Sequence, residues 1–275
     1  LDDVWYTEIM NIDDTRVAFI GDTHGNTRWL VSQLYKIAGL GITSAFVCGD
    51  FGIWHGKHGQ EFLDTVNAAL EKHGITLYVT LGNHENYDII DNWPRADDGT
   101  QWFRDNICVF PRPFRFTLNG LSVLSLGGAP SVDFPYRTKD IDWWSQEAIT
   151  YDEACEAIDG GHADIMITHD APDNGTYAVQ TILDSNPFGF PAEALEYAMH
   201  GRNIMTSVVA EVKPKFLVHG HYHVVGDGHM EHGGRIISLN CDGRGGSVII
   251  LDTTDHLDVQ WLDKIERDRD ESNIS

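Results

Sequence analysis

Short unbroken apolar runs, each halted by a glycine or a histidine with a polar partner, alternate early in the chain with amphipathic stretches. Arg16–Ile20 predicts a buried strand that stops at Gly21-Asp22. Within Thr27–Ala38, the positions Leu30, Val31, Leu34 and Ile37 recur with a helical period. Residues 45–48 predict a second strand, again closed by Gly-Asp. Residues 61–72 predict a second helix, with Phe62, Val66, Ala69 and Leu70 on one face. A third strand, 75–81, ends at Gly-Asn-His. This β-α-β-α-β order implies a largely parallel sheet with right-handed crossovers.

The texture then changes. Residues 91–101 are polar, carry Pro94 and Gly99, and read as a surface loop. Phe114–Leu118 and Leu121–Leu126 flank Asn119-Gly120, a strong two-residue hairpin signal. A second, antiparallel sheet packed on the first is expected. The Gly/Pro-rich stretch 127–142 is long enough to be a functional loop or lid. Trp143-Trp144 opens a short helical stretch, and 151–158 forms another. Residues 163–167 read as a strand leading to His169. Residues 191–212 are the longest helical candidate, with Pro191 in its first turn. Strands are expected at 216–218, 235–239, 248–251 and 257–261. One domain over 1–263, with a frayed polar tail at 264–275, is the expected organisation.

Composition narrows the function. The chain has 275 residues, 42% of them apolar, which suits one large domain with a deep core. No apolar stretch reaches the roughly 20 residues that span a bilayer. Residues 1–14 are acidic and lack a basic-then-apolar leader pattern, so a cytoplasmic protein is expected. The net charge of −23 repels nucleic-acid backbones and argues against a long DNA or RNA partner. A small phosphate ester stays compatible with it, because bound cations reverse the local field. The acidity reads first as a solubility feature, with a high-salt habitat as the alternative. Cys48, Cys108, Cys155 and Cys241 have no CxxC spacing, and no disulfide framework is expected. Cys241 could lie near a site.

Five short motifs end the predicted strands: Gly-Asp-Thr-His-Gly (21–25), Gly-Asp (49–50), Gly-Asn-His-Glu (82–85), Thr-His-Asp (168–170) and Gly-His-Tyr-His (220–223). Strand ends are where an α/β sheet gathers its functional loops. Carboxylate, imidazole and amide oxygen together suit hard or borderline divalent cations. Asp22 and His24 are two residues apart, as are His221 and His223, so in extended backbone each pair can point one way. Asp50 offers a carboxylate able to bridge two cations, and Asn83 a neutral carbonyl oxygen. His219 competes with its neighbours by the same spacing; the simpler reading is a strand-end histidine behind the ligands. His55 and His58 border the Asp50 turn and could touch substrate, though exposed loop histidines are usually only that.

The chain resembles the calcineurin-like metallophosphoesterases over roughly residues 17–251. The superfamily pattern of Asp-x-His, Gly-Asp, Gly-Asn-His-Asp/Glu, a lone His and Gly-His-x-His is complete. The finer texture, including Trp143-Trp144 and 215–224, is similar to a branch common in bacteria and their phages. The resemblance implies an α/β fold, a two-sheet mixed β-sandwich flanked by helices. It implies one metal held by Asp22, His24 and His223 and another by Asn83, His169 and His221, with Asp50 bridging. It implies a metal-generated hydroxide as the attacking group and His84 as the residue that contacts phosphate and protonates the leaving group. Manganese is the expected metal, with Fe, Zn, Co or Ni also suited to the ligands. Asn26, Arg28 and Arg244 are candidate substrate contacts.

The protein serine/threonine phosphatase branch also needs Asp-Arg-Gly after the second motif. Here that segment is Gly-Asp-Phe-Gly-Ile-Trp-His, so its arginine is missing. A phosphodiesterase for small diesters, cyclic nucleotides among them, is therefore expected. A phosphomonoesterase or protein-phosphatase-like enzyme is the alternative, and a metal-dependent binding module the non-enzymatic one.

Overall fold

The computed structural model describes residues 9–254 and 256–274; the acidic opening 1–8 lies outside the described residues. Strand β1 (Asn11–Ile12) precedes β2 (Arg16–Ile20), α1 (Thr27–Ala38), β3 (Ser44–Cys48), α2 (Gly56–His73) and β4 (Thr76–Thr80). Helix α3 (Tyr87–Asn92) leads to β5 (Gln101–Arg104), β6 (Ile107–Val109), β7 (Phe114–Leu118) and β8 (Leu121–Leu126). Next come α4 (Tyr151–Asp159), β9 (Ile165–Thr168), α5 (Tyr177–Ser185), α6 (Ala192–Val212) and β10 (Phe216–His219). The chain closes with β11 (Gly226–His229), β12 (Arg235–Ser238), β13 (Val248–Asp252), β14 (Asp258–Trp261) and α7 (Leu262–Ile274).

Two mixed sheets result. One runs β14-β13-β2-β3-β4-β6-β5 and the other β1-β7-β8-β9-β10-β12-β11. Strands β2, β3, β4 and β6 are parallel neighbours, as are β8, β9, β10 and β12. These strands are buried on both faces, which explains their unbroken apolar runs. Alternation sorts their side chains. Val17, Phe19, Phe46 and Cys48 point between the sheets, where they meet Phe116, Phe216 and Val218. Ala18, Ile20, Ala45 and Val47 face the other way, with Leu30, Leu34, Phe62 and Val66 of α1 and α2. Leu124, Met166 and Leu217 of the second sheet cover Ala154, Met205 and Val208 of α4 and α6. The expected α-β-β-α sandwich is thus present.

Departures from expectation have local causes. Helix α2 begins at Gly56, earlier than expected; its exposed first turn (Lys57, His58, Gln60) carries no apolar signal from which that start could be read. The loop expected up to 101 ends earlier, since Gln101 starts a hairpin that pairs with β4 through β6. Pro191 is the N-cap of α6, one residue outside it. Trp143-Trp144 leads only to a 3-10 turn, Ser145–Glu147. The stretch from Lys264, expected to fray, is helical to Ile274. Leu262 and Ile265 seat it on the α1 side of the core, and Lys36 pairs with Glu266 at 2.9 Å. Among the described residues, no helix is long and apolar enough to cross a membrane.

Candidate metal centre

Both sheets contribute at the same edge of the sandwich. The turns after β2, β3 and β4 bring Asp22, His24, Asp50 and Asn83; those after β9 and β10 bring His169, His221 and His223. Two glycines let these turns close up. A Cβ on Gly49, which holds φ +96°, would lie 2.0 Å from His169 Nδ1, and one on Gly220 would lie 2.0 Å from Asp22 Oδ1. His24, Asp50, His221 and His223 themselves hold left-handed backbone, at φ 44°, 49°, 69° and 50°. Such conformations cost about 1–3 kcal/mol each outside glycine and persist where surroundings impose them, typically at functional sites.

The donor atoms fall into two clusters, each within 4.8 Å: Asp22 with His24 and His223, and Asp22 with Asp50 and His169. The first is the expected trio. In the second, Asp22 joins Asp50 and His169, and Asn83 Oδ1 lies 2.8 Å from His169 Nε2. His221 reaches the centre through its backbone N–H, 3.0 Å from Asp22 Oδ1, and through a ring edge 4.9 Å from His169. Its imidazole donor belongs to neither cluster.

Two histidine tautomers are set from behind. His169 Nδ1 donates to Cys48 O at 2.7 Å and His24 Nδ1 to Asp242 at 2.9 Å, so each presents Nε2 inward. The lone pair of neutral His169 Nε2 then faces two more acceptors, Asn83 Oδ1 and, at 3.3 Å, Asp50 Oδ1. Three acceptors converging on one buried point require a positive charge between them. Among the described residues, no Lys or Arg pairs with Asp22 or Asp50, though these are 0% and 1% exposed. Buried carboxylates of this kind need cations. The residues therefore fit a divalent pair. The field agrees: burial opposes ionisation of Asp50, yet the His169, His84 and His24 rings hold its carboxyl well below the usual range. Burial likewise opposes charge on His169, but Asp50 drives it up to about 10. Without metal, a proton takes the cation's place.

Further residues, some within the motifs and some outside them, complete the surroundings. Glu85 accepts backbone N–H groups of Phe51, Gly52 and Ile53 at 2.6, 3.1 and 2.9 Å, which fixes the turn carrying Asp50. Tyr222 donates to Asp170 at 2.8 Å, tying the fifth motif to the fourth. Asp242 also accepts from Asn26 Nδ2 at 2.6 Å, while Asn26 Oδ1 caps α1. Asn26 is thus committed to the scaffold. From the 127–142 loop, Arg137 lays its guanidinium 2.5 and 2.7 Å from the two ring nitrogens of His84. Asp133 and the Asp142 carbonyl hold Arg137 there, at 2.9 and 3.1 Å. Only its place in that loop could have singled it out.

The remaining candidates lie elsewhere. Arg28 and Arg244 are exposed, and among the described residues neither shares a hydrogen bond or ion pair with a site residue. His55 and His58 are exposed, and His58 pairs with Glu61 at 3.7 Å. His219 is buried, donates from Nδ1 to Gly220 O at 3.0 Å, and is pushed down to about 4 by burial, so it stays neutral. Cys241 is buried near the site, where burial and then Asp22 and Asp242 raise its thiol.

A sequence model of the calcineurin-like phosphoesterases matches residues 15–225. No curated protein sequence matches the chain. Among solved structures, a dimetal phosphatase from Danio rerio superposes with a TM-score of 0.54 at 12% identity, covering 86% of this chain and 92% of its own. A novel archaeal phosphodiesterase gives a TM-score of 0.41 at 10% identity, with 89% and 97% covered. The protein TT1561 of Thermus thermophilus gives 0.48 at 9%, with 90% and 99% covered. The family brings a binuclear divalent metal centre, for which the converging acceptors are suited. The chain belongs to the calcineurin-like phosphoesterases and is a hydrolase of phosphoester bonds.

Proposed function

We propose that the protein is a manganese-dependent phosphodiesterase for small diesters, with cyclic nucleotides as the first class to test. The observation that carries this reading is the cation count at the mouth. Among the described residues, Arg137 is the Lys or Arg side chain that touches a candidate site residue. One guanidinium matches the single charge of a diester better than the two charges of a monoester.

When bound, the two metals supply a water of lowered pKa and polarise the phosphoryl oxygens. Asp22, His24 and His223 would hold one of them, Asn83, His169 and His221 the other, and Asp50 both. Arg137 orients a phosphoryl oxygen by charge-assisted hydrogen bonds and neutralises charge that builds there. His84 is aimed by its own backbone N–H, which donates to Asp50 Oδ1 at 2.8 Å. Once substrate draws Arg137 onto the phosphoryl group, the freed ring of His84 would give a proton to the leaving oxygen.

One observation favours a second reading, a phosphomonoesterase. The arginine missing after the second motif has a counterpart in Arg137, delivered from another loop. Hydrolysis of bis-para-nitrophenyl phosphate against the monoester, with Mn²⁺ restored after chelation, separates the two. Preference for the monoester would overturn the diester reading.

A further inference from the structure

Glu147 is a buried carboxylate with no part in the chemistry above. It ends the 3-10 turn Ser145–Glu147 and is 0% exposed. Four groups donate to it: Ser131 N at 2.5 Å, Ser131 Oγ at 2.7 Å, Trp143 Nε1 at 2.8 Å and Tyr197 OH at 3.3 Å. Ser131, also 0% exposed, is in turn 2.8 Å from Nδ2 of Asn83.

The proton count gives this chain a direction. An ionised carboxylate only accepts, so the one hydroxyl hydrogen of Ser131 goes to Glu147. The oxygen of Ser131 then has only lone pairs to offer Asn83. The amide must answer with its NH₂ group, which leaves Oδ1 facing His169 and Asp50. An amide turned the other way would present two N–H donors to the point where cation and acceptors meet. His169 Nε2, 2.8 Å from Oδ1, supports this choice only while it carries a proton; neutral, as a metal ligand must be, it is an acceptor and leaves the holding of the NH₂ side to Ser131.

We propose that Glu147 and Ser131 are positioning residues that fix which side of the Asn83 amide is turned toward the metal centre. The proposal rests on Asn83 being a metal ligand. It gives the 127–142 loop a second role, since Ser131 belongs to the same segment that carries Arg137. The loop that grips the phosphoryl group thereby also sets a ligand.

The test is Mn²⁺ binding to the full metal-free chain at pH 8, followed by titration calorimetry and by the electron paramagnetic signal of a coupled Mn pair. At that pH Glu147 is ionised, since burial, against its hydrogen-bond donors, raises it only to about 7. The charged or titratable groups around it are Arg137, Tyr197 and Tyr87, with Arg112 on its carbonyl. Ser131→Ala and Glu147→Gln should each weaken one of the two Mn²⁺ ions about ten- to hundredfold and leave the other unchanged. Trp143→Phe removes a donor from Glu147 without touching the relay and should bind both ions normally. Asn83→Ala is the reference for losing the ligand itself. If Asn83→Ala loses one ion while Ser131→Ala and Glu147→Gln keep both at full affinity, the relay is only a structural pin and the proposal is wrong. If Asn83→Ala also keeps both, Asn83 is no ligand, and the site reading falls together with the proposal.

Discussion

The carboxylate of Asp242 lies 2.9 Å from Nδ1 of His24, although 218 residues separate them along the chain. That contact joins the loop before β13 to the turn after β2 and turns the Nε2 lone pair of His24 inward. Asp242→Asn keeps the shape but can present an N–H to the ring, which frees the tautomer. It should lower metal affinity or turnover about 10–100-fold. Metal titration of the chelated variant checks this, and wild-type affinity would refute the orienting role.

His84→Ala should retain both metals and lose roughly 10²–10⁴-fold in turnover, the usual worth of a positioned acid. Arg137→Ala should instead raise KM and weaken inhibition by inorganic phosphate. Its loss should affect a diester and a monoester unequally, because the two differ in charge at the gripped oxygens. Steady-state kinetics on both esters, with phosphate as inhibitor, make the comparison.

Removing the metals should loosen the sandwich. The candidate ligands come from strand ends of both sheets, so a metal pair held by them would bridge the two. Each site at a hundredfold excess of metal over its dissociation constant contributes about 2.7 kcal/mol. Chelation should therefore lower the melting temperature by several degrees, and Mn²⁺ should restore it. An unchanged melting curve in a chain shown to be metal-free would contradict the bridging role.

Glu147 gives a pH signature. Its folded-state pKa, raised to about 7 by burial, exceeds that of an exposed glutamate. Between about pH 4.5 and 7 the folded state therefore holds a proton that the unfolded chain releases. Stability from this group falls as pH rises through that window, by roughly 3 kcal/mol in all. Urea unfolding of the metal-free chain across the window should show the fall, and Glu147→Gln should reduce it, leaving the share of buried Asp170, raised to about 6.

The core offers a plainer check. Phe46 stacks on Phe19, Tyr78 and Phe116 at centroid distances of 5.3, 5.1 and 5.7 Å between the sheets. Phe46→Ala should cost about 3–5 kcal/mol, read from denaturant unfolding.

Much of the fold was legible because the central strands are buried on both faces and so read as unbroken apolar runs. The candidate ligands were legible for the same reason: Asp22, Asp50, Asn83 and His169 directly follow such runs. What the chain concealed lies where no period operates. Arg137 comes from an irregular loop, Asp242 from a turn whose partner is 218 residues away, and Glu147 from a 3-10 turn. The hairpin of β5 and β6 was hidden by the polar stretch before it. Helix α7 was hidden because its sequence is mostly charged, and among its described side chains only Leu262 and Ile265 betray the face it buries.

The left-handed backbone at His24, Asp50, His221 and His223 has an evolutionary reading. At these positions glycine or asparagine is the relaxed choice, and histidine or aspartate persists only while the metals make it useful. A descendant released from catalysis would gain stability by the same substitutions that dismantle its centre. Drift away from activity is then downhill and difficult to reverse. Inactive relatives of this chain should carry Gly or Asn at these four sites before they change elsewhere in the core.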